Sequence, residues 1–304
     1  MKHAYLIIAH QEVEILKVLL TLLDDKRNDV FLHIDKKSEA LFEAMKSIKL
    51  ERAGFYLLQK RIDVRWGDIS QIKVELLLLK TALNQGHYSY LHLLSGVDLP
   101  IKSQDYIHDF FTRHAGFEFV GFAHKKTDDE NAREKAGYIY LFTRYIKDDN
   151  KLRRFFTEHI KNGYIRCQKS VHYKRHCSVQ FKKGSNWFSI TERFACFLLS
   201  KEKYILSMFK YTLCPDEIFI QTLLWNSSVQ FPVYDKNDEF KGCVRLIDWK
   251  RGDPYTWGEQ DKEILNSSIE QMISDIAHQW RQPLNELGIA MFQMKQNVQD
   301  EKGF

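Results

Sequence analysis

Two short stretches in the second half of the chain carry residue types that could do chemistry. Pro215-Asp216-Glu217 sets two carboxylates behind a proline, with the apolar run Ile218-Phe219-Ile220 following. About thirty residues earlier, Gly184-Ser185-Asn186-Trp187-Phe188 reads as a turn leading into a strand. An acidic side chain at a helix start, near a Gly-Ser-aromatic turn, can serve as the base of a group-transfer enzyme. Pro-Asp-Glu is equally a favoured first helical turn. Proline lacks the N–H that a first turn leaves unbonded, and carboxylates suit the positive end of the helix dipole. Spacing alone leaves both readings open.

The elements that must position these residues begin at the N-terminus. Tyr5 to Ala9 is a short continuous apolar run, as expected of a strand buried on both faces, and Glu14 to Leu23 carries helical spacing. Val30 to Ile34 is a second buried strand, ending at Asp35. This strand–helix–strand opening implies a parallel pair with a right-handed crossover. His10 and Asp35 fall at the C-terminal strand ends, where an open α/β sheet forms its ligand crevice. No glycine-rich phosphate loop follows the first strand, so a dinucleotide site is not expected. Phe55 to Leu58 reads as a strand and Asp68 to Leu83 as an amphipathic helix behind Trp66-Gly67. Tyr88 to Leu94 is a strand running into the loop Ser95 to Pro100. Residues 125–183 show little periodicity and read as helices and loops over the sheet. Trp187 to Ile190 and Val244 to Trp249 read as strands, and Glu192 to Leu199 and Glu217 to Trp225 as helices. The pattern implies one α/β domain with a mixed, mostly parallel sheet flanked by helices.

At 304 residues, with 44% hydrophobic and 28% charged content, the chain has the composition of an ordinary globular protein. The net charge of +5 is unevenly placed: residues 144–183 hold twelve Lys or Arg and three acidic residues. Such a stretch suits an anionic partner such as a nucleotide diphosphate, a lipid headgroup or a phosphorylated glycan. It is also compatible with a solvated surface. No nucleic-acid motif accompanies the charge, so nucleic acid is not an expected partner. The five cysteines are widely spaced and form no C-x-x-C pair, which points to a reducing compartment rather than a disulfide framework or zinc site. The N-terminal apolar run is too short for a signal peptide, and no stretch approaches a membrane span. The expected location is cytoplasmic, at most peripheral on the inner face of a membrane. His172 and His176 have i, i+4 spacing but no intervening Glu, so they are read as structural.

Seven segments in order resemble the core-2/I-branching β-1,6-N-acetylglucosaminyltransferases, a family that includes the peptide O-xylosyltransferases. They are Ala4 to His10, His33 to Ser38, Trp66-Gly67-Asp68, Leu94 to Ser103, Gly184 to Phe188, Pro215-Asp216-Glu217 and Arg245 to Trp249. The resemblance is closest to the short bacterial members, which lack the eukaryotic membrane anchor. It implies a GT-A-like fold, a UDP-sugar donor, most often UDP-GlcNAc, and inversion at the anomeric carbon without a metal. UDP-xylose is the alternative donor. A glycan or lipid-linked hydroxyl is the implied acceptor. No D-x-D motif is present; Asp128-Asp129-Glu130 is the nearest imitation and lies in a polar segment. By the resemblance, Glu217 is the acceptor base and Arg245 a cation facing the donor diphosphate. His10, Asp35 and Asp98 are placed as nucleotide-sugar contacts, Asp98 alternatively as a loop-fixing side chain. Trp66, Trp187 and Asp216 are placed as sugar or acceptor contacts; a core aromatic is the alternative for the two tryptophans, equally open for Trp66.

After Ser267 the pattern changes. Family members continue from a similar Asn-Ser into a Phe-Ala-Arg-Lys-Phe segment, whose lysine is the second cation facing the diphosphate. Here residues 278–284 read His-Gln-Trp-Arg-Gln-Pro-Leu, similar to the phosphoacceptor box of sensor histidine kinases, with His278 at the phosphorylated position. Apolar residues at 269, 273, 276, 280, 284, 287, 291 and 294 form a near-heptad stripe. The stripe predicts a C-terminal helix that dimerises the chain or docks on its own domain. The expected division is therefore a glycosyltransferase domain over 1–267 and a helical fragment over 268–304, with turnover reduced by loss of the lysine. A reading from a different class is an inactive glycosyltransferase-like chain whose last helix serves dimerisation or phosphotransfer.

Overall fold

A computed structural model describes residues 1–148, 150–248, 250–252, 255 and 276–277. Strands β1 (His3–Ala9) and β2 (Asn28–Ile34) are buried along almost their whole length. That is why Tyr5 to Ala9 is continuously apolar and Val30 to Ile34 is apolar but for His33. Helix α1 (Val13–Leu22) connects them and buries Ile15, Leu16, Leu19 and Leu20. Helix α2 (Glu39–Lys46) leads to β3 (Gly54–Leu57), which pairs parallel with β2. Helix α3 (Ser70–Gln85) then carries the chain across to β4 (Tyr90–Ser95), parallel to β1 on its other side.

The short β5 (Leu99–Pro100), α4 (Gln104–Arg113), β6 (Phe119–Val120), α5 (Lys126–Gly137) and α6 (Lys151–Ser170) follow. β7 (Phe188–Thr191) pairs antiparallel with both β4 and β6. The six-stranded sheet runs β3-β2-β1-β4-β7-β6. Helices α7 (Glu192–Ser200) and α8 (Glu202–Phe209) precede a single 3-10 turn at Pro215–Glu217 and α9 (Phe219–Trp225). Then come α10 (Glu239–Cys243), β8 (Arg245–Leu246) and β9 (Ile276–Ala277). This is the mixed, mostly parallel α/β sheet that the sequence pattern implies.

The sheet is covered on both faces. One core joins Leu6, Phe31, Leu79, Phe188, Phe194 and Phe219; a second joins Ile7, Leu16, Leu20, Ile34 and Phe42. A polar seam lies buried at the opposite end of the sheet from the site. His92 Nδ1 meets Ser189 Oγ at 2.8 Å, its Nε2 meets His3 Nδ1 at 3.0 Å, and His108 Nε2 meets Asn28 Oδ1 at 2.8 Å. Strand order reverses at β1, which has β2 on one side and β4 on the other. An open α/β sheet forms its ligand crevice outside the carboxyl ends of the strands at such a point, here those of β1 and β4.

Several expectations change. The helix predicted from Glu217 to Trp225 is interrupted at Ile218, whose φ of −128° is not helical. The strand predicted over Val244 to Trp249 shrinks to Arg245–Leu246. Residues 125–183 hold helices and loops as expected, including two helices, one of them 20 residues long. Ile276–Ala277, expected within a continuous helix, pairs antiparallel with β5 and parallel with β8. Both short strands have backbone groups that need partners, and these two residues supply them. His278, the kinase-like box and the rest of the stripe lie outside the described residues.

Candidate active site

The crevice is fixed by main-chain bonds between loops. Gly96 N–H donates to the carbonyl of Ile8 at 2.9 Å. A Cβ on Gly96 would stand 2.6 Å from Ala9 Cβ, so only glycine lets the β4 loop lie against the end of β1. His10 is exposed immediately beyond β1, and its carbonyl accepts from Ser38 Oγ at 2.6 Å. Asp35 is buried. Its carboxylate accepts from the Lys37 amide at 2.8 Å and the Val64 amide at 3.2 Å, with Lys37 Nζ 3.2 Å away. It thereby joins the β2 end to the loop before Trp66. Asp98, expected as a donor contact or loop-fixing group, is fully buried and accepts from the Ser95 amide at 2.7 Å. That bond ties it to its own loop.

Three motifs meet at the Pro215–Glu217 turn. Cys214 holds a left-handed conformation, φ 49°, and its N–H donates to Gly67 O at 3.1 Å. Gly67 itself has φ +69°, which glycine adopts without steric cost. On the other side, Gly184 N–H donates to Glu217 O at 2.9 Å. Gly184 packs so tightly that a Cβ would stand 2.0 Å from Gly121 O. The buried Gln221 amide, one turn into α9, donates to Gly121 O at 3.1 Å and Ser185 O at 2.7 Å. Residues distant in sequence are thus drawn to one rigid corner.

The two carboxylates of that turn have different surroundings. Glu217 has a third of its side chain open to solvent, with Lys135 Nζ at 3.3 Å and Lys183 Nζ at 3.6 Å. Asp216 lies beneath, and burial, then the neighbouring Glu217, pushes its carboxyl up to about 7. Below it on α3 is Glu75, fully buried, pushed well above the usual carboxylate range by burial and then by Asp216. Glu75 Oε2 and Asp216 Oδ1 are buried without a hydrogen-bond partner among the described residues. Asp216 was expected to touch sugar; it faces the protein interior instead. Burial also raises the Cys214 thiol to about 12, so it offers no thiolate near neutral pH.

Trp66 is 47% exposed, with Lys147 Nζ 4.0 Å from the ring centroid. It presents an open face that suits stacking. Trp187 is half-buried and packs against the larger core.

Arg245 departs from expectation. It is 0% exposed, and its guanidinium donates to the carbonyls of Leu93 and Phe188 at 3.0 and 3.3 Å, and of Cys243 and Val244 at 3.0 and 3.2 Å. A planar five-donor group suits this bracing of β4, β7 and β8. It is fully buried, not in the open position expected of a diphosphate contact.

Sequence reasoning missed Glu75 and Lys135, and reached Lys183 only as one of the basic residues of 144–183. Glu75 had a signal: an acid at a core-facing position of an amphipathic helix. The lysines had none beyond membership of polar segments. Asp128 and Asp129 do not form a metal pair. Asp128 accepts from the Lys125 amide at 3.2 Å and Asp129 pairs with Lys182. Among the described residues, no group of three His, Cys, Asp or Glu side chains is arranged to hold a metal ion.

Comparison with known proteins agrees with the motifs. The family model described as Core-2/I-Branching enzyme matches residues 3–273, six residues beyond the boundary expected at 267. Xylosyltransferase oxt of Drosophila melanogaster is 22% identical over 240 residues, which cover 77% of this chain and 24% of the relative. Xylosyltransferase 1 of Homo sapiens is 24% identical over 229 residues, covering 73% of this chain and 21% of the relative. The chain thus spans about a quarter of the length of these relatives. Among solved structures, mouse xyloside xylosyltransferase 1 overlaps 90% of this chain and 97% of its own, at 10% identity and a TM-score of 0.35. That score is too low to carry a functional argument.

Proposed function

The chain belongs to the Core-2/I-branching enzyme family, and from that premise we propose that it is an inverting glycosyltransferase with Glu217 as the acceptor base. The acceptor hydroxyl loses its proton to the Glu217 carboxylate. Its oxygen forms a bond to the anomeric carbon from the face opposite the leaving group. The bond from that carbon to the diphosphate oxygen breaks, its electron pair leaves with UDP, and the configuration inverts. General-base assistance of this kind is worth about 10²- to 10⁴-fold.

The observation that carries this reading is the Glu217 carboxylate itself. It is partly open at the corner where three motifs meet, while its neighbour Asp216 is buried. The departing diphosphate develops negative charge that fixed cations must offset. Lys135 and Lys183 are the cations beside Glu217 among the described residues, and we assign them that duty in place of a metal. Each sits on a flexible stem that can turn from Glu217 to a phosphate oxygen when donor binds. His10, at the open end of β1, is a donor contact in this reading, and Trp66 a stacking face for sugar.

The donor we propose is UDP-GlcNAc, giving a β-linked GlcNAc on a glycan or lipid-linked hydroxyl. UDP-xylose is a second reading, favoured by the names of the curated relatives. Thermal-shift titration with UDP-GlcNAc, UDP-xylose and UDP-glucose separates the two, since a ligand that binds the folded state raises its melting temperature. Release of UDP is then followed with the preferred donor, with and without EDTA. Glu217→Gln should lower turnover by at least about 10²-fold while leaving donor-induced stabilisation in place. Unchanged turnover would remove Glu217 from the mechanism, and strong loss in EDTA would contradict metal independence.

A further inference from the structure

Helix α6 (Lys151–Ser170) is 20 residues long and touches the body along one narrow line. Only Thr157 and Gln168 on it are buried. Gln168 makes a two-way bond to the backbone of Ile139, accepting at 2.8 Å and donating at 3.0 Å, which locks the helix in a fixed orientation. The face turned away is apolar. Leu152, Phe156, Ile160 and Tyr164 recur every four residues as a stripe along one side of the helix, with Phe155 flanking its N-terminal end. Leu152 is 71% exposed, Phe156 59% and Ile160 50%. A contiguous row of large apolar side chains held open to water marks an interaction surface.

The chemistry of the partner follows from what flanks the row. Within Lys151–Ser170 there are six Lys or Arg and a single acid, Glu158, and two of the cations, Arg153 and Lys169, pair with Asp148 and Glu134 outside the helix. A protein partner with an apolar groove would not by itself require that charge. An apolar face of Phe and Leu bordered by cations is the pattern of a helix lying in a lipid interface, rings at the acyl boundary and cations among headgroups. No helix among the described residues is long and apolar enough to cross a membrane. Lying along the surface is therefore the mode that fits. We propose that α6 docks this protein on an anionic lipid bilayer through its Leu152-to-Tyr164 row. This stands apart from the assignment of Glu217 and does not depend on it.

The test uses the full chain and sedimentation with phosphatidylcholine vesicles, with and without phosphatidylglycerol. Binding is expected to the anionic vesicles, weakly or not at all to the neutral ones, and to weaken as salt screens the headgroups. Phe155→Ser combined with Phe156→Ser should cut the partition by at least about tenfold per ring, the scale set by burying an aromatic side chain. The melting temperature and UDP release in solution should be unchanged. Failure of the parent chain to bind anionic vesicles would overturn the proposal. So would equal binding to both compositions, or binding undiminished by the double substitution. A dimer in solution that the same substitutions split, with no vesicle binding, would give the row to a second copy and equally overturn it.

Discussion

Gly184 N–H donates to the carbonyl of Glu217 at 2.9 Å. The glycine turn thus holds the backbone of the acidic turn directly, and the side chain of Glu217 is aimed from a fixed base. A methyl group at 184 would stand 2.0 Å from Gly121 O, so something must shift. Gly184→Ala should cost about 1–3 kcal/mol of stability. By moving the carboxylate it should also cost up to about 10²-fold in turnover. The informative comparison is at a temperature where the variant is fully folded. Normal turnover there would show that Glu217 is not positioned by this contact.

Lys135 and Lys183 flank Glu217 at 3.3 and 3.6 Å. If they carry the leaving diphosphate, replacing either with Ala should lower kcat by about ten- to a hundredfold, the scale of one hydrogen bond to a charged group. KM for the acceptor should move much less. Steady-state kinetics on the single and double variants decide the matter. A double variant with parental kcat would leave the charge to other groups.

Glu75 should reveal itself through pH. Its folded-state carboxyl titrates well above the usual range because burial disfavours the charge. Between the ordinary carboxylate range and that raised position the folded state binds the extra proton, so stability falls as pH rises. Glu75→Gln removes the titration while keeping size and neutrality. The variant's melting temperature should therefore exceed the parent's by a margin that widens from pH 5 to pH 8. A constant margin, or a reversed one, would contradict the assignment.

The buried histidines act at the other end of the scale. Burial lowers His92 and His3 well below the ordinary histidine value and His108 to about 4. The unfolded chain takes up these protons near pH 6.5, the folded chain only lower down. Their full contribution is present above pH 6.5 and is lost as pH falls toward the folded values, with a total on the order of a few kcal/mol. Melting curves from pH 7.5 to 4.5 should fall steeply, and His108→Gln should flatten part of the slope. A flat parental profile across that window would refute the cluster's role.

The first half of the sheet was legible because β1, β2 and β4 are buried on both faces and so carry mostly apolar residues along their middles. The acidic turn and the glycine turn were legible as motifs, though spacing could not say that they touch. What was not legible has physical reasons. Arg245 sits between Val244 and Leu246 in a short strand, and nothing in the sequence tells a cation meant for a ligand from one meant for four carbonyls. Lys135 and Lys183 reach Glu217 only through the fold, from a stretch whose other lysines lie on the surface. Helix α6 hid because its apolar face is turned outward, opposite to the rule by which amphipathic helices are ordinarily read.

The bond from Cys214 N–H to Gly67 O closes a loop of well over a hundred residues. The β1-β2-β3 layer, by contrast, pairs neighbours in the chain. Loop closure over such a span costs entropy before any contact repays it, and non-local pairings form late. The crevice floor can form early in folding, while the corner bearing Glu217 arrives with the last long-range contacts. On a ribosome or in a refolding tube, regain of turnover would lag regain of sheet.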